Sequence, residues 1–238
     1  MTKLKCIVLD IDSVMIDSVR FEKVMKDDYI PKPFCTWTHG YQKCGIYKRP
    51  YLEYFLAACQ KYAEHVAIWT KADGYWARNV VEKILPPGYP LLFIWTYKEA
   101  DEYKRLSKVW KEFASYGLNE TNTIIVEDTP ENCEKNVGNG LIVPAFLAEH
   151  DPDDIIFPLL CHYLKNNIVG RNVLDVDFSH WRLDAIEDVM KNKFKLVRWI
   201  NLSGGDSKDK KGGNKKGEST RANKKDGKDR RDKKKKSK

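Results

Sequence analysis

What this 238-residue sequence lacks narrows its class before any motif is read. No window approaches the length of apolar chain needed to span a bilayer. No leader pattern opens the chain either, because Asp10 and Asp12 interrupt the only apolar stretch near the N-terminus. The six cysteines (Cys6, Cys35, Cys44, Cys59, Cys133 and Cys161) form no CxxC pair and no zinc-type spacing. They read as core residues of a protein in a reducing, intracellular setting, nucleus or cytoplasm. His39, His65, His150, His162 and His180 have no spacing that suggests a metal site or a catalytic triad, and no internal repeat is visible.

Aromatic residues are missing altogether from the last segment, and aliphatic ones nearly so. From Ser203 onward there are 16 Lys/Arg against 6 Asp/Glu, a surplus of ten, so residues 1–202 carry about −2 of the chain's net +8. The apparent basic protein is a slightly acidic domain with a cationic tail. Such a tail cannot bury enough apolar surface to offset its ordering entropy, and disorder is expected over 203–238. It is either a solubilising tail or a device for nuclear import or nucleic-acid attachment through RRDKKKK at 230–236. With no stacking aromatics among the lysines, any such nucleic-acid contact is expected to be nonspecific and salt-sensitive.

Hydrophobic residues make up 42% of the chain, enough for a packed core, and their pattern is that of alternating strands and helices. LKCIVLDID reads as a buried strand that ends in two carboxylates. Residues 17–48 form a longer connection with short strands or a hairpin. RPYLEYFLAACQKYAEH then sets Leu52, Phe55, Leu56, Cys59 and Tyr62 at helical spacing. A strand is expected at 65–70, a helix from Asp73 to the Pro86-Pro87-Gly88 stop, an apolar run at 91–95 and a helix over 101–115. A strand over 122–127 ends in EDTP, followed by a GNG turn, a short strand, a helix at 153–168 and an amphipathic stretch, WRLDAIEDVMKNKF.

Alternation of this kind predicts a parallel sheet with helices on both faces, where ligands bind beyond the carboxyl ends of the strands. Three strands end in polar residues that would meet there: Asp10 with Asp12, Thr70, and Glu127 with Asp128. Two carboxylates at i and i+2 can face one side of an extended chain, and close together they resist double ionisation. A cation beside one and a proton on the other resolves the conflict, so Asp10 suits a metal-bound nucleophile and Asp12 a proton donor. EDTP by itself also reads as a strand end with Thr129 capping a helix and Pro130 in its first turn.

Five ordered pieces together resemble the haloacid-dehalogenase superfamily, and within it the RNA polymerase II C-terminal-domain phosphatase-like family (FCP1 homology, NLI-interacting-factor-like). They are LDIDSV, YKRPYLEYFL, VAIWTKADGYWARNVVEKI, YKRLSK and TIIVEDTPENCEKNVGNGLIVPAF, running from Leu4 to Ile168. The resemblance implies a magnesium-dependent phosphatase acting through an aspartyl-phosphate on Asp10. Asp12 would be general acid and then base, Thr70 a hydrogen-bond donor to the phosphoryl group, and Lys104 its counter-charge. Mg2+ would be held by Asp10, Asp12 (through its carbonyl) and Asp128, with Glu127 nearby in place of the usual Asp. Lys98, Arg105 and Lys108 replace Lys104 if the register differs, and Arg49 either orients its helix or binds substrate phosphate. Ser13 stands where relatives usually have Glu or Gly.

The expected fold is thus α/β, a Rossmann-like HAD-like parallel sheet with helices on both faces, a small β insertion after the first strand and the disordered basic tail. Its boundaries are 1–169 for the phosphatase domain, 170–202 for an extension packed on it and 203–238 for the tail. The implied substrate is a phosphoserine or phosphothreonine protein, of the polymerase C-terminal-domain type. Two alternatives remain: a non-catalytic docking protein on this fold, or a phosphatase of nucleic-acid phosphate ends.

Overall fold

The computed structural model of the protein describes residues 2–24, 32–39 and 42–203. The lysine-rich stretch 204–238, with the disorder, import and nucleic-acid expectations attached to it, lies outside the described residues. Five strands form a parallel sheet: β1 (Leu4–Leu9), β5 (Ala63–Trp69), β6 (Ile94–Trp95), β7 (Thr123–Glu127) and β8 (Gly140–Ile142), in the order β6-β5-β1-β7-β8. Between β1 and β5 the chain inserts a three-stranded antiparallel sheet of β2 (Ile16–Arg20), β3 (Cys35–His39) and β4 (Gln42–Lys48), with a single turn, α1 (Phe21–Val24), after β2. The helices are α2 (Leu52–Tyr62), α3 (Gly74–Ile84), α4 (Leu106–Glu112), α5 (Pro130–Cys133), α6 (Ile156–Tyr163) and α7 (Trp181–Ser203).

Side chains of β1 alternate between the two faces, as the pleat requires. Ile7 and Leu9 join the larger core under α2, α3 and α6, around Phe55 stacked on Phe157. Cys6 and Val8 join a second core with Leu106 and Val109 of α4. Burying both faces is why these strands read as continuous apolar runs. The second core also includes Cys133, whose Cβ lies only 2.9 Å from where a Cβ on Gly140 would sit, so β8 and α5 approach closely because that position is glycine.

Several elements depart from the sequence reading. Of the apolar run at 91–95 only Ile94–Trp95 forms regular strand, at the sheet's edge, although the Leu92 amide and the Phe93 carbonyl also bond Val66 and Ile68 of β5. The helix expected over 101–115 begins at Leu106, and 101–105 is a loop that turns Lys104 inward. The helix expected at 153–168 is α6 followed by a wider, π-helical turn at Leu164–Ile168. Beyond residue 170, Val173, Phe178, Trp181 and Ala185 are buried in the larger core, and the Trp181 indole donates to the Ile142 carbonyl at 2.7 Å. All six cysteines are free, four of them buried and Cys35 and Cys44 half-buried.

Candidate active site

β1 is flanked by β5 on one side and β7 on the other, so the chain reverses its winding direction at β1. In a doubly wound sheet the crevice for a ligand opens at the carboxyl end of that strand. The register makes the three strands finish level: Leu9 lies beside Ile68 on one side and beside Val126 on the other. The next residues out are therefore Asp10 and Glu127, with Thr70 just past the end of β5. The Asp10 amide still bonds the Val126 carbonyl (3.1 Å), which holds its side chain at the sheet's rim.

Lys104 comes to this point from the loop before α4 and is fully buried. Its ammonium lies 2.7 Å from Asp10 Oδ1 and 2.6 Å from Glu127 Oε2. Burial opposes the charge, but the two carboxylates and their hydrogen bonds outweigh it and hold the lysine pKa above its usual value. Of the cations that share this stretch, Lys108 is paired with Asp101 at the surface, and Arg105 lies over the Tyr103 ring. The geometry brings Lys104, among these, onto Asp10.

Oxygens of Asp10, Glu127 and Asp128 lie within 4.8 Å of one another. Three carboxylates thus share one ammonium. Burial, with Glu127 adding to it against the pull of Lys104, pushes Asp10 up to about 7. Burial and the same glutamate push Asp128 up to about 6. An excess of hard, partly desolvated oxygen donors of this kind fits a divalent cation such as Mg2+. Asp12 is half-buried beside the cluster; burial raises its pKa, while the Trp76 indole, donating to its Oδ2 at 3.3 Å, lowers it. Thr70 is buried, and its hydroxyl accepts from the Ala72 amide at 3.0 Å.

Several supporting residues escaped the sequence reading. Asn132 donates to Glu127 Oε1 (2.9 Å) and its carbonyl accepts the Lys104 amide, while Asn136 brackets the same loop by bonding the Lys104 carbonyl (2.6 Å) and the Leu106 amide. Trp76 is braced edge-on by Trp37 of the β insertion, at 4.8 Å between centroids. An asparagine four residues past an acidic pair, or a tryptophan on a helix, carries no chemical pattern of its own, so only the fold could have revealed these roles.

Two expectations change. Arg49 is 1% exposed, its guanidinium bonded to the Val14 and Pro144 carbonyls and to Asp154 at 2.9 Å. Both terminal nitrogens are engaged inside the protein and the group is shut off from solvent, so the substrate-phosphate role gives way to the alternative of organising the chain around its helix. Thr129 is the N-cap of α5 by position, but its side chain makes no capping bond; Glu127 Oε1 instead accepts the Thr129 amide at 3.3 Å. Ser13 adopts a left-handed conformation (φ 60°), one that glycine would take at no steric cost.

Clustered carboxylates and a buried lysine at the switch point of a parallel sheet make an α/β site suited to a divalent cation and an anionic group. Over residues 5–176 the chain matches the NLI interacting factor-like phosphatase family, and it belongs to that family. Among solved structures it is similar to Fcp1, an essential RNA polymerase II CTD phosphatase, at 16% identity and a TM-score of 0.48, covering 87% of this chain and 55% of that one. A fission yeast Fcp1 variant bound to beryllium fluoride aligns at 19% identity and a TM-score of 0.49, covering 84% of this chain and 55% of that one. The chain thus spans about half the length of these structures. No curated protein matches it.

Proposed function

We propose that the protein hydrolyses phosphoserine or phosphothreonine in proteins through an aspartyl-phosphate on Asp10. The observation that carries this reading is the buried lysine bridging Asp10 and Glu127 at the end of β1, with Asp128 alongside. Lys104 occupies Oδ1 of Asp10, which leaves Oδ2 to attack phosphorus while the P–O bond to the leaving oxygen breaks. Asp12 gives its proton to that oxygen. It then takes a proton from a water that attacks the phosphoryl group, and the P–O bond to Asp10 breaks to release phosphate. Thr70 and Lys104 meet the charge on the non-bridging oxygens.

Asp10, Asp128 and the Asp12 carbonyl would hold Mg2+, with Glu127 behind them. When bound, the ion keeps the carboxylates ionised and offsets the phosphoryl charge. The Trp76 indole bonds the Asp12 carboxylate and restricts its orientation. The docking-protein alternative draws no support from a site with its nucleophile, acid and lysine all present. The nucleic-acid alternative rested on residues 204–238, which lie outside the described ones.

The test is hydrolysis of an aryl phosphate and of phosphoserine peptides by the full chain, with and without Mg2+ and with Asp10→Asn alongside. Turnover that needs Mg2+ and vanishes in the variant is expected. Turnover that survives Asp10→Asn, or a folded wild type that turns over neither substrate, would overturn the reading.

A further inference from the structure

An open groove of about 610 Å³ runs beside the site, and Asp128 belongs to both. One wall comes from Pro130 and from the end of β8 with the chain that follows it, Ile142 to Ala145. The opposite wall comes from residues 178–183, the approach to α7 and its first turn. That second wall begins past residue 176, where the match to the phosphatase family stops. It is a built wall, because Phe178 and Trp181 are buried against Tyr163 and the Trp181 indole is bonded to the Ile142 carbonyl across the groove's base.

The lining chemistry is specific. Asp128 is the one carboxylate in it, and that group faces the phosphoryl site. Away from Asp128 the charged and polar side chains are Arg182, His180 and Ser179, with His180 and Arg182 exposed to solvent. Two acids adjoin the segment: Asp177, whose carboxylate accepts the Ser179 amide at 2.8 Å, and the exposed Asp184 just past Leu183. Ile142, Val143 and Pro144 of one wall and Phe178 of the other make the floor where the walls meet apolar.

We infer that this groove binds the polypeptide flanking the phosphorylated residue, its floor taking an apolar side chain and Arg182 with His180 selecting an acidic or phosphorylated one. The inference rests on the proposed phosphatase reading for its substrate, and adds to it a preference set by a wall outside the family's common region. Asp128 joins the phosphoryl site to the groove, so the chain adjoining a phosphate among Asp10, Asp12 and Lys104 has the groove next to it. A cationic rim on an apolar floor suits a peptide better than a polynucleotide, because no exposed Phe, Tyr or Trp ring lines it for bases to stack on.

The experiment uses the full chain in two forms. Binding of fluorescent phosphoserine peptides to Asp10→Asn is measured by polarisation, and kcat/KM for the same peptides is measured with the intact nucleophile. The peptides carry Glu, a second phosphoserine, Ala or Lys at successive positions on either side of the phosphorylated residue. At one flanking position an acid should tighten binding and raise kcat/KM by about three- to five-fold, the size of an exposed ion pair. The second phosphoserine should give the larger effect. Arg182→Ala should remove this preference, and Arg182→Glu should turn it toward Lys; Arg182 is exposed, so neither change disturbs packing.

A preference that persists unchanged in Arg182→Glu, or no acid preference at any position, overturns the groove assignment. Arg182-dependent peptide binding in a protein that turns over no phosphopeptide keeps the groove and overturns the catalytic reading. Turnover with identical peptide selectivity in Arg182→Glu does the reverse.

Discussion

A buried lysine between two buried carboxylates is a high-stakes arrangement. Removing the Lys104 ammonium leaves Asp10 and Glu127 facing each other without a counter-charge. Lys104→Met should therefore destabilise the protein by about 3–5 kcal/mol as well as abolish turnover, which chemical denaturation and an aryl-phosphate assay read separately. Trp76 is a gentler case. Its indole bond to Asp12 is long, at 3.3 Å, and lies at the weak end of hydrogen bonds to charge. Trp76→Phe keeps the ring that packs on Trp37, and kcat should fall about ten-fold with stability little changed. An unchanged kcat would show that Asp12 is oriented without it.

Elements bring charges together that local sequence keeps far apart, and the ends of β1 and β7 do so with consequences for pH. Asp10 and Asp128 titrate near 7 and 6 in the folded protein, against ordinary values near 3.8. Raised carboxyl values mean that the folded state binds more protons than the unfolded one between those limits. Without metal, their contribution to stability is greatest below about pH 4 and declines as pH rises toward 7. Mg2+ competes with these protons, so the increase in melting temperature on adding it should be larger at pH 7.5 than at pH 5. Equal increments at both pH values would sever the metal from these carboxylates. Arg49 shows the same principle in a structural role. It joins the loop after β1, the 143–146 stretch and the approach to α6 through one guanidinium. Arg49→Met should cost about 3–5 kcal/mol by stranding Asp154, and calorimetry would reveal a smaller cost if solvent reaches the aspartate instead.

The whole molecule extends past the family's common region. Phe178, Trp181 and Ala185 complete the larger core and cover the Ile142 carbonyl at the sheet's edge. A chain ending at residue 176 should lose at least about 3 kcal/mol, the scale of deleting one buried tryptophan. A chain ending at residue 203 keeps this packing, and its unfolding free energy should stay within about 0.5 kcal/mol of the full chain's. Urea melts of the two truncations distinguish a structural extension from an appended one. No helix among the described residues is long and apolar enough to cross a membrane.

Local pattern was enough to read the alternation of strands and helices, the burial of β1, β5 and β7, and the strand ends at Asp10, Thr70 and Glu127. These features follow from which side chains avoid water and at what period, and period is a property of neighbouring residues. The grouping of LDIDSV with VEDTP was legible for the same reason, since parallel strands deliver their ends to one edge. Other properties belonged to the tertiary structure. It decided that Lys104 turns inward from a loop where a helix was expected, that Arg49 is spent on Asp154, and that Trp76, Asn132 and Asn136 support the site. It also set residues 178–183 across from β8. Each of these depends on a partner tens of residues away, and long-range pairing leaves no period in the chain for a reader to find.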